Sequence, residues 1–458
     1  MIDDLQVYPA PTGVPLCMDF EVTVNGQHVD LYASATRYGN NASFGYFDFG
    51  GRVQIDIHLN FGAYHSNSVR VLPDGLGIHP EPRGGFDFSF TLEKPAQMTM
   101  IVNDDYQGRV LHLFASAIEA DRPAADDSDV IYFGPGYHRL SGERAELKIQ
   151  SGQTVYLAGG AVVVGRLTAD HAENIAIRGR GVLVYDVPAQ QGSQITLELI
   201  DCAEVRIAGI IVSRTAGGWT GLLTRCADVT VDDVKICSTA IWSTDGLNIM
   251  NCSRVAYRRC FFRCGDDNIS IKGIYGGGPG SPRIVEDKAA SPPNEDILIS
   301  QCIFWSDNNN AVVVGPESIA TYYRHIRVED CDVLFCRDDE PIKAALAIIC
   351  MHATDIEDVV FENIRIGPCG QAIAVFFADS LFGIPGELRK LRGVMGAIRF
   401  TDIVAWGAGS KHIRLSGHND AVYIRDVTLE HVYIHGKRLD ADSPYLETNA
   451  HVRQLVVR

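Results

Sequence analysis

The chain of 458 residues is 46% hydrophobic and 21% charged, an ordinary globular composition, long for one compact unit and sufficient for two. Its formal net charge of −17 offers no basic face for a phosphate backbone, so nucleic acid is excluded as the expected partner, and a polyanionic substrate would need a local basic pocket. No apolar run is long enough to span a bilayer, so no membrane partner is expected.

The first residues, Met1-Ile2-Asp3-Asp4-Leu5, lack the basic n-region and apolar h-region of a secretory signal. The expectation is a cytoplasmic protein, or a secreted one whose signal has been removed. Residues 1–125 alternate apolar and polar positions in short runs such as Val22-Thr23-Val24, Val53-Gln54-Ile55-Asp56-Ile57 and Phe86-Asp87-Phe88-Ser89-Phe90. Gly, Pro and Asn separate these runs, which predicts an antiparallel β-sandwich. The polar stretch Asp121-Arg122-Pro123-Ala124-Ala125-Asp126-Asp127 reads as a linker.

Residues 131–458 follow a different pattern. Short apolar cores recur at Ile175-Ala176-Ile177, Val205-Arg206-Ile207, Val229-Thr230-Val231, Val255-Ala256-Tyr257, Ile297-Leu298-Ile299, Ile326-Arg327-Val328, Val359-Val360-Phe361 and Ile398-Arg399-Phe400. Their spacing is roughly 24 to 39 residues with one longer gap, and strand repeats of this length without helices predict a right-handed parallel β-helix. Three residues after each core from Val205 to Val359 come Ile210, Val234, Cys260, Cys302, Cys331 and Ile364; Cys202, Cys226 and Cys252 precede three cores by the same interval. Equivalent residues of a β-helix stack at about 4.8 Å per rung, so these form interior columns in which free thiols serve as small apolar residues. The twelve cysteines contain no CxxC pair, and no metal or cofactor is expected.

Three polar stretches interrupt the repeat: Trp242-Ser243-Thr244-Asp245-Gly246, Gly265-Asp266-Asp267-Asn268-Ile269-Ser270-Ile271-Lys272 and Asp307-Asn308-Asn309-Asn310-Ala311. Asp245 precedes Asp266 by 21 residues, close to one turn, so Asp245, Asp266 and Asp267 are expected on one face of adjacent rungs, roughly 5–7 Å apart. Asp-Gly and Asp-Asp are common turn residues. Clustered at this spacing, however, carboxylates raise one another's pKa and place an acid beside an ionised base, which is the requirement of glycosidic cleavage. The separation spans both retaining and inverting geometries.

Trp242 to Gly246 followed by Asp266-Asp267 resembles the catalytic region of glycoside hydrolase family 49, the dextranases and isopullulanases, and of the polygalacturonases of family 28 in the same clan. Ile131-Tyr132-Phe133-Gly134-Pro135-Gly136 and the stretch Ser151 to Gly160 resemble the entry into the family 49 β-helix, which also follows a β-sandwich. The likeness covers most of the chain and is specific around 131–165 and 240–350. It implies an inverting hydrolase with Asp266 as general acid and with Asp245 and Asp267 holding and activating water.

Two departures from family 28 bear on substrate. Asn309-Asn310-Ala311 stands where polygalacturonases carry Gly-His-Gly, and Pro341-Ile342-Lys343 stands where they carry Arg-Ile-Lys, so the bidentate donor for a uronic carboxylate is missing. The expected partner is a neutral α-glycan or oligosaccharide of dextran or pullulan type. Asp307, Asn310, Lys272 and Lys343 are candidate polar contacts to substrate. Trp219, Trp242 and Trp305 are candidate sugar platforms that would suit a core equally well, and Tyr275 opens a loop-like insertion at 273–294. Asp338-Asp339-Glu340 reads either as a subsite wall or as a solvated turn. A polygalacturonase-like hydrolase, a β-helix lyase and a non-catalytic glycan binder remain as alternatives.

Overall fold

The computed structural model describes residues 4–62, 67–186, 195–239, 243–273, 291–337, 342–352, 354–381, 384–385 and 394–458. It is all-β: an N-terminal sandwich followed by a right-handed parallel β-helix, with a single 3-10 turn at Asp74–Leu76 as the only helical element among the described residues.

One sandwich sheet pairs Phe20–Val24, Gln27–Val29, Val53–Leu59, Asp87–Leu92 and Glu81–Gly84. Val53–Leu59 buries alternate residues, as its sequence pattern requires of a half-buried strand. The facing sheet departs from the expectation in one pairing, because Asn41–Phe49 and Val110–Ala117 run parallel. Both strands are buried on both faces. One face, with Phe47, Phe49, Leu111 and Leu113, fills the sandwich core. The other, with Phe44, Tyr46 and Phe114, packs on Val162, Val182, Ile211, Phe261 and Trp305 of the β-helix. A polar outer face is therefore absent here, and the sandwich is sealed against the solenoid.

The β-helix begins at Val130–Phe133 and stacks its rungs into three parallel ladders: the first ends at Val452–Val457, the second at Leu446–Thr448, and the third, from Gly136–Arg139, merges with the first at Tyr322–Cys336. The eight apolar cores pair in register: Ile175 with Val205, then Val229, Val255, Ile297, Ile326, Val359 and Ile398. The residue before each core from Asn174 to Asp358 (Asn174, Glu204, Asp228, Arg254, Asp296, His325 and Asp358) has a φ of 54–56°. A second left-handed corner, at Asp233, Arg259, Gln301, Asp330 and Asn363, directly precedes the ladder Val234, Cys260, Cys302, Cys331 and Ile364. The chain thus bends at fixed points, and Asp and Asn recur there because their short polar side chains tolerate this conformation.

The interior columns are continuous: Cys331 lies opposite Ile364, and the Cys226 N–H points at Cys252 Sγ at 3.3 Å. All twelve cysteines are free and buried. Thiol titration with an aromatic disulfide should accordingly detect almost none in the native protein and twelve after unfolding. Rapid reaction of several thiols in native buffer would contradict this packing.

Candidate active site

Three successive strands of the second ladder, Leu247–Met250, Ile269–Lys272 and Val312–Val314, carry the site at their entry ends. Ile249 pairs with Ile271, and Ile269 with Val312. Continued backwards, this register sets Asp245 over Asp267, and Asp267 over Asn310; Asp266 precedes the stack by one residue. Close stacking here depends on Gly246, where an added Cβ would lie 2.2 Å from the Asn268 carbonyl oxygen. Ile269 and Ile271 point into the solenoid core, so Ser270 and Lys272 stand on the opposite face.

The two stacked carboxylates are nearly sealed, with Asp245 3% and Asp267 4% exposed, whereas Asp266 is half-buried. Asp245 Oδ2 accepts from Asn248 Nδ2 at 2.8 Å and lies 3.7 Å from the Lys272 ammonium. Asp267 Oδ1 accepts from the Asn310 N–H at 3.1 Å and from Asn310 Nδ2 at 2.8 Å. Asp266 Oδ1 accepts from the Asp267 N–H at 2.9 Å and from Asn309 Nδ2 at 2.8 Å, while Oδ2 accepts from the Ser243 N–H at 2.6 Å. Ser243 holds a φ of 74°, uncommon outside glycine, and this conformation accompanies the donation of its N–H to Asp266.

Burial, then the negative charge of Asp266, pushes Asp267 up to about 7; Lys272 and the Asn310 donors act against the rise. Burial also drives Asp245 well above the carboxylate range; Lys272 opposes this, while Asp266 and Asp267 add to it. Lys272 itself is raised despite burial, because Glu317, Asp245 and Asp267 surround its ammonium.

The remaining sequence candidates are distributed unevenly around this centre. Asn310 holds Asp267 and Asn309 holds Asp266, so the departure from Gly-His-Gly supplies two amides that orient carboxylates. Lys272, expected as a substrate contact, is 5% exposed and ion-paired within the cluster. Trp219 is half-buried, with its ring 4.4 Å from the Lys272 ammonium. Trp305 and Asp307 do not reach a substrate. Trp305 is fully buried against Tyr106, His112 and Phe335, and Asp307 is fully buried 3.0 Å from the Arg263 guanidinium. Their polarity is spent internally: Trp305 Nε1 donates to Asp307 Oδ1 at 3.1 Å. Lys343 is 5% exposed, and the N–H of the next residue, Ala344, donates to Asn310 Oδ1 at 2.9 Å. Trp242, Tyr275, Asp338, Asp339 and Glu340 lie outside the described residues.

Sequence reasoning missed Asn248, Ser243 and Glu317. Glu317 lies 3.3 Å from Lys272, and only the stacking of rungs relates the two. Among the described residues, Asp170, His171 and Asp201 alone are grouped closely enough to hold a metal ion, but they are mostly exposed and Arg225 already donates to Asp201 at 2.7 Å.

The pKa of Asp267 has a consequence for stability. Its folded value of about 7 exceeds the ordinary 3.8, so the folded protein retains a proton that the unfolded chain releases. This contribution to stability is complete below about pH 4 and is lost as the pH rises through 7. Asp267→Asn removes the buried charge and should raise Tm by roughly 2–4 °C at pH 8, with little gain at pH 4. Calorimetry of the two proteins at both pH values checks this; an equal or lower Tm for the variant at pH 8 would contradict it.

No protein-family model matches the sequence, and no curated protein matches it. Solved structures do. Dex49A from Penicillium minioluteum is similar over 99% of this chain and 96% of its own, with TM-score 0.66 at 11% identity. The family 28 exopolygalacturonase of Yersinia enterocolitica matches over 93% of this chain and 98% of its own, with TM-score 0.53 at 12% identity. The hyperthermoactive exopolygalacturonase of Thermotoga maritima matches over 71% of this chain and 83% of its own, with TM-score 0.52 at 14% identity. At these identities the structural likeness establishes the fold alone, sandwich and β-helix together.

Proposed function

We propose that the protein is a glycoside hydrolase that cleaves α-glycosidic bonds of a neutral poly- or oligosaccharide with inversion. The observation that carries this reading is the convergence of Asp245, Asp266 and Asp267 on adjacent rungs, two of them sealed and one only half-buried. Asp266, the half-exposed member, is the general acid. Ser243 occupies one lone pair of its Oδ2, which leaves the other position for the proton delivered to the leaving oxygen. Asp245 Oδ1 and Asp267 Oδ2 take no hydrogen bond among the described residues, and they are the oxygens that grip and deprotonate the attacking water. Burial and mutual repulsion keep a proton in the cluster near neutral pH, as acid–base cleavage by paired carboxylates requires.

The charge of the site favours a neutral sugar. Among the described residues, Lys272 is the one cation ion-paired with the catalytic carboxylates, and Asp245 and Glu317 already hold it. A uronic carboxylate would enter a field of like charge.

Product release should be measured on dextran, pullulan, isomalto-oligosaccharides and polygalacturonate, with Asp266→Asn as control. The expected result is cleavage of a neutral α-glycan and a loss of about 10³-fold or more in kcat in the variant. Cleavage of polygalacturonate alone would overturn the substrate class. Glycan binding without cleavage would overturn the hydrolase reading.

A further inference from the structure

Glu317 has no part in the chemistry just assigned, yet it is built into the site. It is 7% exposed, and its carboxylate lies 3.3 Å from the Lys272 ammonium, on which Asp245 also converges at 3.7 Å. Its backbone is fixed as well: the Gly273 N–H donates to the Glu317 carbonyl at 2.6 Å, and the Tyr323 hydroxyl reaches the same oxygen at 3.3 Å. The Trp219 ring lies 4.4 Å from the ammonium and limits its access to water. A lysine paired with Asp245 alone would spend its full field on that carboxylate. Here a second buried carboxylate competes for the same charge.

We propose that Glu317 is a positioning residue of the catalytic centre: it shares the Lys272 ammonium with Asp245, and this division of one positive charge sets the pH at which the Asp245–Asp267 pair gives up its retained proton. This inference rests on the hydrolase reading. The charged and titratable groups facing Asp245 are Lys272, Asp266, Asp267 and the Cys264 thiol; those facing Lys272 are Glu317, Asp245 and Asp267. His352 Nδ1 accepts the N–H of Ser318, the residue after Glu317, at 3.2 Å.

The signs for the two partners are opposite. Glu317→Gln leaves Lys272 to Asp245 alone, favours the ionised pair, and should move the acidic limb of the kcat/KM profile down by about one pH unit. Lys272→Met removes the charge that favours ionisation and should move the limb up by about one pH unit or more. Lys272→Arg should return the limb toward the wild-type position. A purely structural role lowers activity without moving the limbs in opposite directions.

The same ordering can be read without substrate, from ¹³C NMR titration of the Asp245 carboxyl in each variant. If the wild type cleaves no glycan, the hydrolase reading fails while this titration still decides the division of charge. Opposite shifts support the proposal in either assay. Shifts of the same sign, or an unmoved Asp245 in Glu317→Gln, overturn it; if Lys272→Met does not fold, the direction of the Glu317→Gln shift decides.

Discussion

Among the described residues of the active site, one buried ammonium stands against four carboxylates, and the local structure is organised around that imbalance. Asp245, on the adjoining rung, and Glu317 lie directly against Lys272, and Asp267, on the same rung as Lys272, feels its field. Among the described residues the remaining charge is met by neutral donors: Asn248 on Asp245, Asn310 on Asp267, and Ser243, Asn309 and a backbone N–H on Asp266. Neutral donors steady an ionised carboxylate without abolishing its tendency to hold a proton. A second lysine or arginine would have made the cluster more stable and less able to exchange protons, the familiar opposition between stability and reactivity at such sites.

The solenoid makes this arrangement possible. Each rung fixes the next through parallel pairing, so residues 22 or more positions apart in sequence become neighbours at one strand spacing. The sandwich supports the third of these rungs. Its Tyr38 hydroxyl donates to the Asp307 carbonyl at 2.9 Å, and Arg37 donates to the Asn308 side chain. Beneath them Arg263 lies 3.0 Å from Asp307, an ion contact by distance that is not aligned as a hydrogen bond, with its guanidinium 4.3 Å from the Trp305 ring. Asn309 and Asn310 follow directly, so this buried junction fixes the segment that orients two of the aspartates. Removing one partner of such a pair costs about 3–5 kcal/mol in comparable proteins, since the other charge is left buried and unpaired.

Much of the fold was legible because the solenoid repeats its instructions. Alternating triplets such as Val229-Thr230-Val231 marked the strands, and the cysteine columns marked the interior, since period-two burial and rung stacking leave direct traces in sequence. The pairing of Asp245 with the Asp266-Asp267 stretch was legible for the same reason, although the rung is 22 residues and not 21, which stacks Asp245 on Asp267. Asp307 and Trp305 misled because a polar residue beside an aromatic one reads alike at a cleft and at a buried junction. Only the position of the sandwich, which no local pattern encodes, separates the two. Glu317 was invisible for a related reason: its partner Lys272 is 45 residues away, and neither lies in a motif that names the other.

The central claim is that the three aspartates carry out a single displacement at an anomeric carbon. Proton NMR of the first product released from an α-glycan tests it most directly, because the newly formed reducing end reports the face on which water attacked. The account predicts that the β-anomer appears first and then mutarotates. Initial release of the α-anomer would contradict it, since that outcome requires a covalent intermediate and a different division of labour among Asp245, Asp266 and Asp267.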